Sequence, residues 1–175
     1  MRWVSLALVT LVAACGGVAG WLGAFHKVTI VERPIGPFTF VYRELPDANP
    51  SDIGRVTDDL VAELSAAGVT GLRPLGVYKP DGSAQIGLAV GDGDDKLKSL
   101  ADVKVRELVA ERGMVAEFPW RMPLSFVVSY LRVNPAFERY REEKGYEIEP
   151  AWVLLDGHTI VNMMPIARRG DSASR

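Results

Sequence analysis

Four aromatic side chains and one carboxylate are the residues of this sequence best suited to hold a small organic molecule. Phe38, Tyr78, Trp120 and Trp152 stand in or beside stretches that read as strands, and aromatic rings give a ligand apolar contact and a flat face. Glu117 stands inside an apolar stretch, where a carboxylate could act as an acid, a base or a ligand anchor. Ordinary core packing competes for the rings, and one wet strand face competes for Glu117. The sequence predicts these five residues as the ligand-binding set.

Other kinds of chemistry find little support. His26 and His158 are the only histidines and are not spaced as a ligand pair, while Cys15 is the only cysteine, so neither a metal site nor an internal disulfide is expected. No nucleophile elbow of the form Gly-x-Ser-x-Gly exists. The acidic stretch 91–102 lacks the glycine and the closing glutamate of a calcium loop. No catalytic residue and no cofactor is predicted.

Charge and length narrow the class of protein further. The net charge is −2 with a pI near 5.7, so no basic surplus is present to neutralise phosphates, and no nucleic-acid partner is expected. A chain of 175 residues with 48% hydrophobic residues suits one domain with a single core and an appendage.

The appendage is the N-terminus, where residues 3–25 carry no charge. A run of this length can cross a bilayer as a helix, with Trp3, Trp21 and Phe25 near its ends. The sequence therefore predicts a membrane anchor over residues 1–25 and a single-pass membrane localisation, with the side of the membrane left open. Two alternatives are a bacterial lipoprotein signal, in which Cys15 would be lipidated, and a cleaved secretory signal.

Periodicity along the remaining chain predicts one order of elements twice: two strands, a helix and a hairpin. Asn49 and Pro50 suit a helix start, and Asp156-Gly157 is typical of a hairpin turn. The predicted helices are 51–67 and 124–144. The second carries an apolar stripe of Leu124, Val127, Val128 and Leu131, which Phe137 and Tyr140 continue. The predicted strands are 28–31, 38–45, 72–78, 84–90, 103–120, 146–155 and 158–166, with interruptions at 33–37 and 112–113. The fold class is α+β, with duplicated strand-helix-strand-strand modules whose antiparallel sheet carries two helices. Its domain spans 26–167, a polar tail spans 168–175, and a cleft is expected where the modules join.

Several short segments resemble the gyrase-inhibitor-like (GyrI-like) family of small-molecule-binding domains. Ile35-Gly36-Pro37-Phe38 resembles its Gly-Pro-aromatic motif, and Gly76-Val77-Tyr78-Lys79-Pro80 resembles its hairpin motif. Residues 115–171, with Phe118-Pro119-Trp120, look closer to a membrane-anchored branch that includes an animal ER-phagy receptor. The resemblance implies two strand-helix-strand-strand (SHS2) modules and an effector-binding role.

One departure from the family bears on the ligand. Relatives that bind cations carry a glutamate, and two residues later a tyrosine, where this chain looks to have Val153 and Leu155. The first hypothesis is therefore a membrane-anchored module that binds an apolar or amphipathic small molecule between its two halves. A membrane-tethered interaction adaptor with an unknown protein partner is the second, and a small-molecule hydrolase is the third. An open aromatic cleft that contains Glu117 would favour binding or catalysis, and a filled one would favour the adaptor.

Overall fold

A computed structural model describes residues 16–18, 20–47, 49–91, 97 and 103–167 of the chain. Its strands are β1 (Val31–Ile35), β2 (Phe38–Leu45), β3 (Arg73–Tyr78), β4 (Ala84–Val90), β5 (Lys104–Leu108), β6 (Glu111–Pro119), β7 (Ala151–Asp156) and β8 (Thr159–Pro165). Its helices are α1 (Pro50–Ala66) and α2 (Leu124–Lys144). The predicted order of two strands, helix and hairpin occurs twice, which confirms the α+β class.

The two modules are joined by an antiparallel ribbon of two long, kinked strands. One long strand is β1 continued by β2, and the other is β5 continued by β6. They keep one register throughout, from Val31 opposite Val115 to Tyr42 opposite Lys104. Gly36 forms the first kink with a φ of +77°, a conformation that glycine adopts without steric cost.

The remaining strands close this ribbon into a ring. The sheet has eight strands in the order β1-β6-β8-β7-β3-β4-β2-β5. The strands at the two ends of this order are β1 and β5. Each runs on along the chain into an interior strand of the same sheet, β1 into β2 and β5 into β6. The sheet therefore curls until its two ends meet, and it acquires an inner face and an outer face.

Both helices lie on the outer face, one for each module. In α1, Val56, Leu60 and Leu64 are buried against β2 and β4. In α2, Val133 and Phe137 are buried against β6 and β8. The sequence-predicted cap of α1 is confirmed, because the side chain of Asn49 accepts a hydrogen bond from the backbone N–H of Ser51.

The orientation of α2 differs from the orientation that its apolar pattern predicts. Ser125 and Ser129 are buried on the sheet side, whereas Leu124, Val127 and Leu131 are 47%, 51% and 64% exposed. The serines are tolerated because their hydroxyls are hydrogen-bonded. The Ser129 hydroxyl accepts from the side-chain amide of Asn162 at 3.0 Å, and the Ser125 hydroxyl accepts from two backbone N–H groups at the helix start.

The predicted single-pass membrane localisation is wrong, because no helix within the described part of the chain is both long enough and apolar enough to cross a bilayer. Residues 1–15 and 19 of the predicted anchor over 1–25 lie outside the described residues. The apolar run includes residues that belong to the domain: a turn follows the helical residues 20 and 21, Leu22 is buried, and Gly23 lies against the ring of Phe118. Cys15 and the tail 168–175 lie outside the described residues, as does most of the acidic stretch 91–102.

Both strand interruptions differ from their predicted positions by a few residues: the first begins later than predicted and the second lies earlier. Arg33, Pro34 and Ile35 are part of β1, where proline is tolerated because β1 has a neighbour on one side only. The second kink lies at residues 109–110, whereas Arg112-Gly113 continues β6. Gly113 serves packing instead: a Cβ on it would stand 2.7 Å from the side chain of Ile35.

Candidate functional site

The inner face of the ring carries no helix among the described residues, and its middle is apolar. Alternation along each strand directs one set of side chains toward it, and the apolar cluster within that set is at most 8% exposed. The inner-face cluster consists of Ile35, Phe40, Tyr42, Leu75, Val77, Ala89, Leu108, Val115, Trp152, Leu154, Val161 and Met163. These buried residues come from both modules and pack into one cluster across the ring.

Phe38 and Trp152 meet where the two modules join. Phe38 comes from the kinked ribbon and is half-buried, while Trp152 comes from β7 on the opposite wall and is 5% exposed. Their ring centroids are 6.4 Å apart in an edge-to-face arrangement. The guanidinium of Arg73 lies 5.7 Å from the Phe38 centroid and 3.5 Å from a carboxylate oxygen of Asp156. This aromatic pair is therefore flanked by charge at the edge of the inner face.

Glu117 belongs to the same face but lies at its rim. Its carboxylate pairs with Arg33 at 2.8 Å, and its side chain is 57% exposed. The register places it beside Val161 of the inner-face cluster. Glu117 is thus a solvated, paired carboxylate, and it does not stand within the aromatic contact of Phe38 and Trp152.

Tyr78 and Trp120 lie on the outer face, away from the other three predicted residues. Tyr78 packs against the core of α1, and burial raises the pKa of its phenol. Trp120 packs under the start of α2, with its ring 5.0 Å from that of Phe126. The structure therefore brings Phe38, Trp152 and Glu117 to one face and separates Tyr78 and Trp120 from them.

Strand alternation also places Val153 and Leu155, the two positions at which this chain differs from the cation-binding relatives. Both side chains pack on the outer face with the core of α2. The inner-face positions of β7 are Trp152, Leu154 and Asp156, so its one inward carboxylate is the exposed Asp156 that pairs with Arg73.

A second group of polar residues lies on the inner face where β2, β4 and β5 meet. The ammonium of Lys104 contacts the carboxylate of Glu44 at 2.7 Å; this hydrogen bond lowers the pKa of Glu44 and raises that of Lys104. Gln85, which is 5% exposed, donates to Glu44 at 3.4 Å. The guanidinium of Arg106 lies over the stacked rings of Phe40 and Tyr42, 5.8 and 5.4 Å from their centroids.

Arg73 and Arg106 were missed by reasoning from the sequence. The sequence analysis assigns them no role, yet both alternate in step with buried inner-face residues, Arg73 with Leu75 and Arg106 with Leu108. This two-residue spacing from an apolar strand residue is the sequence signal that could have placed both arginines on the inner face.

One surface hollow lies apart from these groups, beside the edge strand β1. It has a volume of about 470 Å³ and is lined by Glu32, Arg33, Pro34, Ala110, Glu111 and Arg112. Glu32 is already engaged by Arg112 and by the hydroxyls of Tyr140 and Tyr146, which lower its pKa. Over the part of the chain described above, no three His, Cys, Asp or Glu side chains gather as metal ligands.

Solved structures share this fold at low sequence identity. The EcmrR C-terminal domain matches with a TM-score of 0.62 and 13% identity, over 81% of this chain and 99% of that domain. SAV2435 bound to tetraphenylphosphonium matches with a TM-score of 0.57 and 16% identity, over 85% and 98%. A hydrolase from Listeria innocua matches with a TM-score of 0.51 and 11% identity, over 82% and 95%.

These likenesses show the fold and confirm the α+β architecture expected from the GyrI-like resemblance. They give no support to the closer resemblance to a membrane-anchored branch. No protein-family model and no curated protein matches the sequence.

Proposed function

We propose that this domain binds a small organic molecule with an apolar body at the edge of its inner face, against Phe38 and Trp152. The observation that carries the proposal is the contact of these two rings across the join of the modules, on a face without a helix. Ligand sites favour such joins and the mouths of closed sheets. The half-buried ring of Phe38 is the part of the aromatic contact that a ligand can reach from solvent.

Two further facts support small-molecule binding over other roles. SAV2435, which has this fold, binds tetraphenylphosphonium, a bulky aromatic cation. On the inner face of this chain, Arg73 stands over Phe38, so a flat ligand could contact both a ring and a cation. The carboxylates of this face, Glu117, Asp156 and Glu44, each have a cationic partner, so a cationic ligand would have to compete with that partner.

The test compares two tryptophans on opposite faces of the same sheet. The full chain and its Trp152→Phe and Trp120→Phe variants are titrated with neutral 2-naphthamide by calorimetry. Loss of the larger ring weakens an aromatic contact, so Trp152→Phe should lower affinity about three- to tenfold. Trp120→Phe should leave it unchanged. No heat of binding to wild type, or equal losses in both variants, would count against the proposal.

An interaction adaptor is the second candidate, since two observations favour it. The apolar cluster of the inner face is buried, and α2 exposes Val127, Tyr130 and Leu131 to solvent. Contiguous exposed apolar residues are typical of protein contact surfaces. If a Leu131→Asp variant lost a partner from its host while 2-naphthamide bound neither protein, this role would replace small-molecule binding. A hydrolase role has less support, because Glu117 is exposed and paired with Arg33.

A further inference from the structure

Arg106 is the inner-face arginine that has no carboxylate partner among the described residues. Arg33 pairs with Glu117 and Arg73 pairs with Asp156, whereas the guanidinium of Arg106 lies over two aromatic rings. Its Nε is buried, and no described residue supplies a hydrogen-bond acceptor to it. A buried donor of a charged group is costly to leave unpaired, so this arrangement favours an acceptor supplied from outside the chain.

The two-fold relation between the modules shows why Arg106 is unpaired. Arg33 stands three residues before the kink at Gly36, and Arg106 stands three residues before the kink at Val109. By the same relation, Glu44 corresponds to Glu117. If the modules were alike, Arg106 would pair with Glu44 as Arg33 pairs with Glu117.

Lys104 is the residue that breaks this likeness. It holds the carboxylate of Glu44 at 2.7 Å, and the position that corresponds to it in the other module is Val31, which carries no charge. Lys104 thus forms the ion pair with Glu44 that Arg106 would otherwise form. The guanidinium of Arg106 is half-buried and lies over the rings of Phe40 and Tyr42.

A second unpaired polar atom lies in the same region. Gln85 is only 5% exposed, and its side-chain oxygen accepts no hydrogen bond from the described residues. Register places Gln85 opposite Glu44 on the neighbouring strand. Among the described residues, the inner face of this module therefore holds a guanidinium without a carboxylate partner and a buried amide oxygen without a hydrogen-bond donor.

We propose that Arg106 binds the carboxylate of an organic acid whose apolar body lies along the inner face. The inference rests on the proposed small-molecule binding and adds the ligand's charge. A guanidinium binds a carboxylate through paired N–H donors, and the aromatic rings beneath it keep its plane fixed. The free oxygen of Gln85 accepts from a hydroxyl or amide N–H when the acid carries one.

The experiment uses three probes that share one ring system and differ in charge: 2-naphthoate, 2-naphthamide and 2-naphthylmethylammonium. Affinities are measured by calorimetry for the full chain and for Arg106→Gln, Lys104→Val and Arg43→Gln. Arg43 is the matched control, since it lies on the outer face of β2 and pairs with Glu63. Melting temperatures of all variants are recorded to confirm folding.

Wild type should bind 2-naphthoate about tenfold more tightly than 2-naphthamide, and Arg106→Gln should remove that preference. Lys104→Val should remove it as well, although it leaves Arg106 in place, because the released Glu44 then pairs with the guanidinium. Arg43→Gln should keep it. Equal binding of the three probes, or a preference for 2-naphthoate that survives both variants, would overturn the role of Arg106 while leaving small-molecule binding intact. No binding of any probe would defeat both proposals.

Discussion

The orientation of α2 can be tested with two truncations on adjacent sides of the helix, Leu131→Ala and Ser129→Ala. Leu131 belongs to the apolar stripe and is 64% exposed, while Ser129 is 1% exposed and accepts from Asn162 at 3.0 Å. A sequence-based orientation would bury the leucine and expose the serine. The structure makes the opposite assignment, so the two substitutions have opposite expected costs.

The magnitudes separate the two orientations clearly. An exposed leucine truncated to alanine changes the free energy of unfolding by within about 0.5 kcal/mol, whereas a buried one costs about 2–5 kcal/mol. Ser129→Ala removes the 3.0 Å acceptor of a buried amide donor, which then keeps only the 3.4 Å contact to the backbone oxygen of Ala116. The expected cost is about 1–3 kcal/mol. For a chain of this length, each kcal/mol lowers the melting temperature by roughly 2–4 °C.

Urea unfolding of the full chain, followed by tryptophan fluorescence, measures both costs as midpoint shifts at constant slope. Phe137→Ala serves as a control for a buried position of the same helix, since Phe137 is 3% exposed and should cost about 3–5 kcal/mol. A loss above about 2 kcal/mol in Leu131→Ala, together with a neutral Ser129→Ala, would refute the orientation. It would also remove the exposed apolar surface on which the adaptor role depends.

Four further substitutions test other parts of the fold. A Cβ on Gly87 would clash with the backbone of Val41, so Gly87→Ala should lower stability by about 3 kcal/mol or more. A Cβ on Gly54 would meet no atom within 4 Å, so Gly54→Ala should stabilise α1 slightly. Calorimetric melting that ranks the two variants in the opposite order would refute the close approach of β2 and β4. Hydrogen bonds from Tyr146 and Tyr140 hold the pKa of Glu32 below its ordinary value of 4.5, so its contribution to stability is present above that value and is lost as pH falls through the lowered pKa. Glu32→Gln should flatten this acid limb in urea midpoints taken across pH, and an unchanged limb would show that these bonds do not stabilise the fold. Asn49→Ala should cost about 1 kcal/mol by urea unfolding through loss of the α1 cap, and no loss would mean that the cap is replaceable.

Local chemistry in the sequence predicted the elements well. Asn49 and Pro50 start α1 as expected, and Asp156 and Gly157 mark the β7–β8 hairpin. Such signals depend on a few adjacent residues, so tertiary structure seldom overrides them. The predicted strand break at Gly113 failed because that glycine answers a tertiary demand, the contact with Ile35 across the ribbon.

Side-chain directions were harder to predict than elements. The stripe of α2 was assigned to the core because leucine and valine are usually buried, but hydrogen bonds to Asn162 allow the serine face to be buried instead. At the candidate site, residue type selected Trp152, and residue type together with the Gly-Pro-aromatic motif selected Phe38; only the closure of the ring brings them together. The same closure puts Tyr78 on the other face, one position along its strand from the inward-facing Val77.

The central claim, that a small molecule binds at Phe38 and Trp152, is tested most directly by fluorine NMR of the full chain labelled with 5-fluorotryptophan. The sequence has four tryptophans, so each gives a resonance that a single Trp→Phe variant assigns. Titration with 2-naphthoate should shift the Trp152 resonance in a saturable manner and leave that of Trp120, on the outer face, in place. A shift at Trp120 without one at Trp152, or no saturable shift at either, would contradict binding at the inner face.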